Sequence, residues 1–200
     1  MKTNYDKVLD EIITKLNGRK PSILLHSCCA PCSTAVITRL KDYFDVTIFY
    51  YNPNIEPLEE YLKRKEEQKR IVSEFGIKFL DCDYENEKFK SMSKGLEDLP
   101  EGGYRCHKCY ELRLIKTALT AKENNFLYFG TTLTVSPYKN SQVLNAIGKD
   151  IEELTKVKFL YSDFKKKEGY KLSMELSKKY NLYRQNYCGC IYSKKQSEQK

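Results

Sequence analysis

The chain reads as an α/β protein built on an open parallel sheet, and three observations carry that expectation. Its 200 residues are enough to bury a substantial core. Its apolar runs are short and sit between segments of helical periodicity, the pattern of βαβ units. It shows no internal repeat and no linker, so residues 1–200 are expected to form a single domain with helices on both faces of the sheet.

The elements follow in order. Candidate strands are Ile23–Leu25, Val46–Tyr51, Ile77–Asp81, Phe126–Phe129 and Lys158–Tyr161. Between the first two, Val36, Ile37, Leu40 and Phe44 recur at helical spacing. A charged helix from Leu58 to Phe75 links the second strand to the third. A longer excursion, Tyr84 to Asn125, carries a helix from Cys106 onward, with Leu112, Ile115 and Leu119 as its inward stripe and Gly102-Gly103 marking the loop before it. Asn140 to Leu154 reads as the next helix. The last begins near Gly169 and buries Leu172, Leu176, Tyr180 and Tyr183. Residues 194–200 read as a disordered polar tail.

Composition narrows the partners. No stretch approaches the ~20 apolar residues of a membrane span. The segment from Met1 to Lys20 mixes charged and apolar residues, unlike a secretory signal, so a cytoplasmic protein with no membrane partner is expected. A net charge of +8 with pI near 8.9 favours a polyanion, and sixteen tyrosines offer faces on which bases could stack.

Eight cysteines are many for a reducing compartment, and seven of them cluster: Cys28, Cys29 and Cys32; Cys106 and Cys109; Cys188 and Cys190. Cys82 stands alone and reads as a small buried hydrophobe. In an open parallel sheet, ligands sit beyond the carboxyl ends of the strands. The first cluster follows the first strand directly, in His26-Ser27-Cys28-Cys29-Ala30-Pro31-Cys32-Ser33. Tyr51-Asn52-Pro53-Asn54, Gly130-Thr131-Thr132 and Asp163 leave other strands at the same edge. A cubane takes four thiolates and a structural zinc four ligands, so seven exceed either need. Radical-SAM spacing would require a cysteine at position 35, which is Ala35. Neither a Walker loop nor a GxGxxG fingerprint is present, so electrons are expected from an external donor of the ferredoxin or flavodoxin type.

The stretches HSCCAPCS, RCHKCYELRL, SPYKN and YRQNYCGC together resemble the QueH family, which reduces epoxyqueuosine to queuosine at the tRNA wobble position. The matching segments run from His26 to Cys190, nearly the whole chain. The family resembles the adenine-nucleotide α-hydrolase-like (HUP, Rossmann-like) sheets, which implies five strands in the order 3-2-1-4-5. In ATP-using relatives of that fold a glycine-rich pyrophosphate loop follows the first strand. Here cysteines stand in its place, which argues for a metal where those relatives hold ATP.

The resemblance implies a 4Fe-4S cluster with an additional iron ion beside it, no cobalamin, and a tRNA carrying epoxyqueuosine as partner. Its metal residues map onto Cys28, Cys29, Cys32, Cys106, Cys109, Cys188 and Cys190, with the division between cluster and iron left open. Removing an epoxide oxygen as water to leave an alkene consumes two electrons and two protons, and the extra iron suggests a Lewis-acid site for that oxygen. Candidate proton donors are His26, Tyr104, His107 and Asp163. Arg105, Tyr110, Arg113, Lys139 and Arg184 are candidate substrate and tRNA contacts, with the run Lys165–Lys167 as a further phosphate site. Two other classes compete: an iron–sulfur tRNA sulfur-transferase-like enzyme that activates its base with ATP, and a zinc-stabilised RNA-binding module.

Overall fold

A computed structural model of the chain describes residues 2–198. Five parallel strands form one sheet in the order β3-β2-β1-β4-β5: β1 (Ser22–His26), β2 (Asp45–Phe49), β3 (Lys78–Leu80), β4 (Tyr128–Thr131) and β5 (Lys158–Phe159). This is the order the family resemblance implies. The helices are α1 (Tyr5–Lys15), α2 (Ala30–Leu40), α3 (Leu58–Glu74), α4 (Asn86–Ser93), α5 (Tyr104–Glu123), α6 (Ser141–Thr155), α7 (Gly169–Lys179) and α8 (Ile191–Glu198). Among the described residues no helix is long and apolar enough to cross a membrane.

Alternation along the strands divides the core between the two faces. Ile23, Leu25, Val46 and Ile48 pack with Leu9 of α1, Val36 and Leu40 of α2, and Ile71 of α3. Leu24, Phe49, Phe129 and Phe159 pack on the other face with Leu114 and Ala118 of α5 and Leu144 of α6. Gly148 lets α6 lie directly on β5, because a Cβ there would overlap the Phe159 ring. α6 starts where Asn140 Oδ1 accepts from the Gln142 amide at 2.9 Å, a side-chain N-cap. Arg39 of α2 binds α1 through Asp6 at 2.7 Å.

Several local expectations need correction. The inward stripe of α5 is Tyr110, Leu114, Ala118 and Ala121, with Leu119 at 45% exposure and Leu112 and Ile115 only partly buried. α7 ends at Lys179, so Tyr183 lies beyond it, and Leu182 is the residue that enters the core. The expected disordered tail is helical in residues 194–198, while residues 199 and 200 lie outside the described range. The cause is packing: Ser193 is buried, and the Tyr192 hydroxyl meets Ser93 Oγ of α4 at 3.1 Å.

Candidate metal centre and substrate cleft

The loop after β1 is stitched in place before it turns into α2. Ser27 Oγ donates to Gln68 Oε1 at 2.7 Å, Gln68 Nε2 donates to Ser33 Oγ at 2.9 Å, and Asn52 Nδ2 donates to the Ser27 carbonyl at 2.8 Å. Cys29 is the N-cap residue of α2, and the proline that follows suits the first helical turn, where a missing N–H costs nothing. As a result the Sγ atoms of Cys28, Cys29 and Cys32 lie within 4.8 Å of one another, and none is in a disulfide. Their protonation is shared. Hydrogen bonds from the Cys28 and Cys32 thiols lower the pKa of Cys29 well below the ordinary thiol value, and the same contacts raise those of Cys28 and Cys32. Three sulfurs at this spacing, two of them on buried residues, could hold a metal ion.

The other four clustered cysteines meet elsewhere. Cys106 and Cys109 lie one turn apart on α5 and line a small cavity with Cys188 and Cys190, together with Asn54, Phe89, Glu101, Arg105, Tyr110, Arg113 and Ser193. Burial raises the Cys109 thiol to about 11 and the Cys190 thiol to about 12, and raises Cys106 as well. Bound metal is what would draw their protons off. The segment carrying Cys188 and Cys190 is held against the loop after β2: the Glu56 amide donates to the Gly189 carbonyl at 2.9 Å, and Arg64 Nη1 donates to the Cys188 carbonyl at 3.2 Å.

Beside both sets opens a cleft of about 700 Å³. Cys28, Cys32 and Cys188 reach it from the sheet edge, and Tyr138, Lys139, Tyr170, Arg184, Gln185 and Tyr187 help to form its walls. Cys188 lines both the small cavity and the cleft. The volume falls in the ~300–1,000 Å³ range of small-ligand sites. Lys139 is half-buried here; burial opposes its charge, and thiolates at Cys188 and Cys28 raise its pKa above the ordinary lysine value.

The four expected proton donors are not gathered at this cleft. His26 is fully buried, with Nε2 donating to the Tyr51 carbonyl at 3.1 Å and Nδ1 accepting from Thr131 Oγ1 at 3.0 Å. Burial pushes its pKa down to about 3, so it serves as a neutral brace across β1, β2 and β4. Asp163 is tied to Ser141 Oγ at 3.0 Å and to Lys165 Nζ at 2.7 Å, at the start of α6. Tyr104 is 57% exposed on the first turn of α5, and His107 stacks loosely near Tyr110, with neither lining the cleft or the small cavity.

The basic and aromatic candidates divide similarly. Lys139 and Arg184 line the cleft. Arg105 is buried and caps the carbonyls of Leu96, Glu97 and Leu99 at 3.0, 2.7 and 2.6 Å, ordering the loop before α5 instead of meeting a phosphate. Tyr110 and Arg113 are also buried, against the small cavity. Burial opposes the Arg113 charge, and thiolates at Cys109, Cys188 and Cys28 would favour it. Lys165 pairs with Asp163 and Lys167 with Asp10, away from the cysteines. Cys82 is half-buried and lines neither cavity. Sequence reasoning passed over Glu101, which lines both cavities and whose Oε2 accepts from Ser193 Oγ at 3.2 Å. It also passed over Asn54 as a wall of the small cavity, and over Tyr138, 81% exposed beside Lys139.

The five-strand order, with cysteines where a nucleotide-binding loop would follow the first strand, defines a HUP-type α/β protein whose first loop gathers three cysteines that could hold a metal ion. Comparison with known proteins makes this particular. The family model "Epoxyqueuosine reductase QueH" matches residues 23–196, and the chain belongs to the QueH family. Relatives of that name include one from Staphylococcus epidermidis, 46% identical over 96% of this chain and 85% of the relative. Others come from Streptococcus pyogenes, 44% identical over 97% and 79%, and Thermotoga maritima, 39% identical over 86% and 90%. Among solved structures, the U34-tRNA thiolase NcsA from Methanococcus maripaludis with its [4Fe-4S] cluster superposes with a TM-score of 0.56 at 13% identity, covering 94% of this chain and 67% of that one, a likeness of fold.

Proposed function

We propose that this chain is an epoxyqueuosine reductase, which removes the epoxide oxygen from epoxyqueuosine at the tRNA wobble position as water and leaves queuosine. The observation that carries this reading is the meeting of two cysteine sets beside one nucleotide-sized cleft, in a chain of this family. We further propose that the chain acts as one catalytic domain, in the cytoplasm, and draws electrons from a ferredoxin- or flavodoxin-type donor.

The donor chemistry fits an iron–sulfur centre. A single tetrahedral ion with metal–sulfur bonds of ~2.3 Å needs thiolates ~4 Å apart, a spacing compatible with Cys28, Cys29 and Cys32. These three would hold the additional iron. Cys106, Cys109, Cys188 and Cys190 supply the four thiolates that a 4Fe-4S cluster takes. Bound by these two sets, the metal groups would supply electrons and a Lewis-acid site for the epoxide oxygen.

The chain's own residues bind, orient and protonate. Lys139 and Arg184 present cations to the phosphates on either side of the modified nucleoside, and Tyr138 and Tyr170 offer stacking faces to its neighbours. Glu101 is the carboxyl side chain that lines the cleft, and we assign it to deliver protons to the departing oxygen. His26 keeps the strand ends in register beneath the thiols.

In a bacterium deprived of its own epoxyqueuosine-reducing enzyme, expression of this chain should restore queuosine to tRNA digests. Glu101→Gln should leave epoxyqueuosine in place, although the purified variant keeps the parent's iron and sulfide content. Well-expressed, metal-loaded parent protein that leaves epoxyqueuosine unchanged would refute the assignment. A variant as active as the parent would remove Glu101 from it.

A further inference from the structure

Three arginines are buried to 1% exposure, and two of them are plainly neutralised or capped. Arg64 pairs with Glu60 at 2.6 Å. Arg105 is held by three carbonyls at 2.6 to 3.0 Å. Arg113 has neither. Its Nε donates to the Cys109 carbonyl and its Nη1 to Asn52 Oδ1, both at 3.4 Å and so at the weak end of the range. Its Nη2 is buried with no partner, and among the described residues no carboxylate pairs with it. An uncompensated buried charge is strongly destabilising, so the fold must present something anionic to this group.

What surrounds it is sulfur. Arg113 follows Cys109 by one helical turn and Cys106 by two, which puts all three side chains on one stripe of α5. It lines the small cavity with those two thiols, Cys188 and Cys190. Asn54, whose Oδ1 is also buried without a partner, lines the same cavity. An unpartnered guanidinium donor lining a cavity with four thiols describes a site completed by a sulfur-rich anion, while the Asn54 oxygen, an acceptor, awaits a donor.

We propose that Arg113 is the buried counter-charge of the metal group, donating an N–H from Nη2 to one of its sulfurs and raising its reduction potential. The proposal rests on the reading of these cysteines as an iron–sulfur site. Adding an electron to an anionic cluster is easier beside a fixed cation, and hydrogen bonds to the sulfurs act in the same direction. Arg113 is therefore a positioning and tuning residue. Its burial keeps it from the tRNA phosphates for which its sequence neighbourhood made it a candidate.

The test is a dye-mediated redox titration of the anaerobically reconstituted full chain and its Arg113→Met and Arg113→Lys variants, with iron and sulfide measured on each. Arg113→Met should load as the parent does and hold its oxidised form about tenfold more strongly at the parent's midpoint, a shift of about 59 mV to lower potential for a one-electron couple. Arg113→Lys, which keeps the charge and loses the fork, should fall between the two. Should the methionine variant fail to load, pulsed electron paramagnetic resonance of the reduced parent carrying 15N-arginine decides. A 15N coupling that Arg113→Lys abolishes supports the contact, and no coupling refutes it. A loaded Arg113→Met protein at the parent's potential overturns the proposal alone. A parent that takes up no iron and sulfide overturns the reading of the site as well.

Discussion

Single cysteine-to-alanine changes should sort the seven clustered thiols into two sets, divided as the two cavities divide them. Cys106, Cys109, Cys188 and Cys190 share the small cavity, and replacing any one removes a quarter of a four-thiolate set. Those variants should lose the visible absorption of the cluster and all turnover. Cys28, Cys29 and Cys32 form the separate set with Sγ atoms within 4.8 Å. Their variants should keep colour while turnover falls at least ~100-fold, the upper end of what even supporting residues of a metal site cost. Cys82, half-buried and lining neither cavity, is the internal control and should change neither property. Absorbance and iron-to-sulfide ratios of the eight purified variants check this. Uniform bleaching across all seven would mean one shared centre.

Gly189→Ala should be nearly as damaging without removing a ligand. Gly189 sits at φ +122°, a conformation that other residues adopt at a cost of about 1–3 kcal/mol. An added Cβ would also lie 2.8 Å from Ile55 Cγ1 and 3.0 Å from Arg64 Nη1. Overpacking of that kind costs about 1–3 kcal/mol more. Arg64 is itself fixed by Glu60 and holds the Cys188 carbonyl, so the Cys188-Gly189-Cys190 loop has no easy way to retreat. The melting temperature should drop on the order of 10 °C for a chain of this size, and iron uptake should fall with it. A variant with the parent's melting curve and iron content would show that this clamp does not position the two cysteines.

The strands were legible because a parallel sheet covered on both faces demands continuous apolar runs, and each run, such as Ile23-Leu24-Leu25, appears as such. The cysteines were legible because seven thiols in three tight groups have few structural uses. What was lost was the direction of long polar side chains. Arg105 and Arg113 look like a basic helix face in sequence, and both are buried, Arg105 against three loop carbonyls and Arg113 in the wall of the small cavity. Leu119 misled in the opposite sense, as an apolar residue one position off the true stripe of α5. His26 carries no sequence mark separating a proton donor from a brace; only its bonds to Tyr51 and Thr131 do. Glu101 was passed over because its place depends on Ser193, 92 positions away in the chain.

In the proposed reaction the chain removes one oxygen from a tRNA nucleoside, with cysteines at the sheet edge that would hold the metal supplying its electrons. The most direct test is a single anaerobic turnover of the reconstituted chain with tRNA carrying epoxyqueuosine, a measured amount of reductant, and neither ATP nor cobalamin. Mass spectrometry of the digested wobble nucleoside should show queuosine, formed at one oxygen lost per two electrons consumed. An unchanged nucleoside from fully loaded, fully reduced protein would contradict the account.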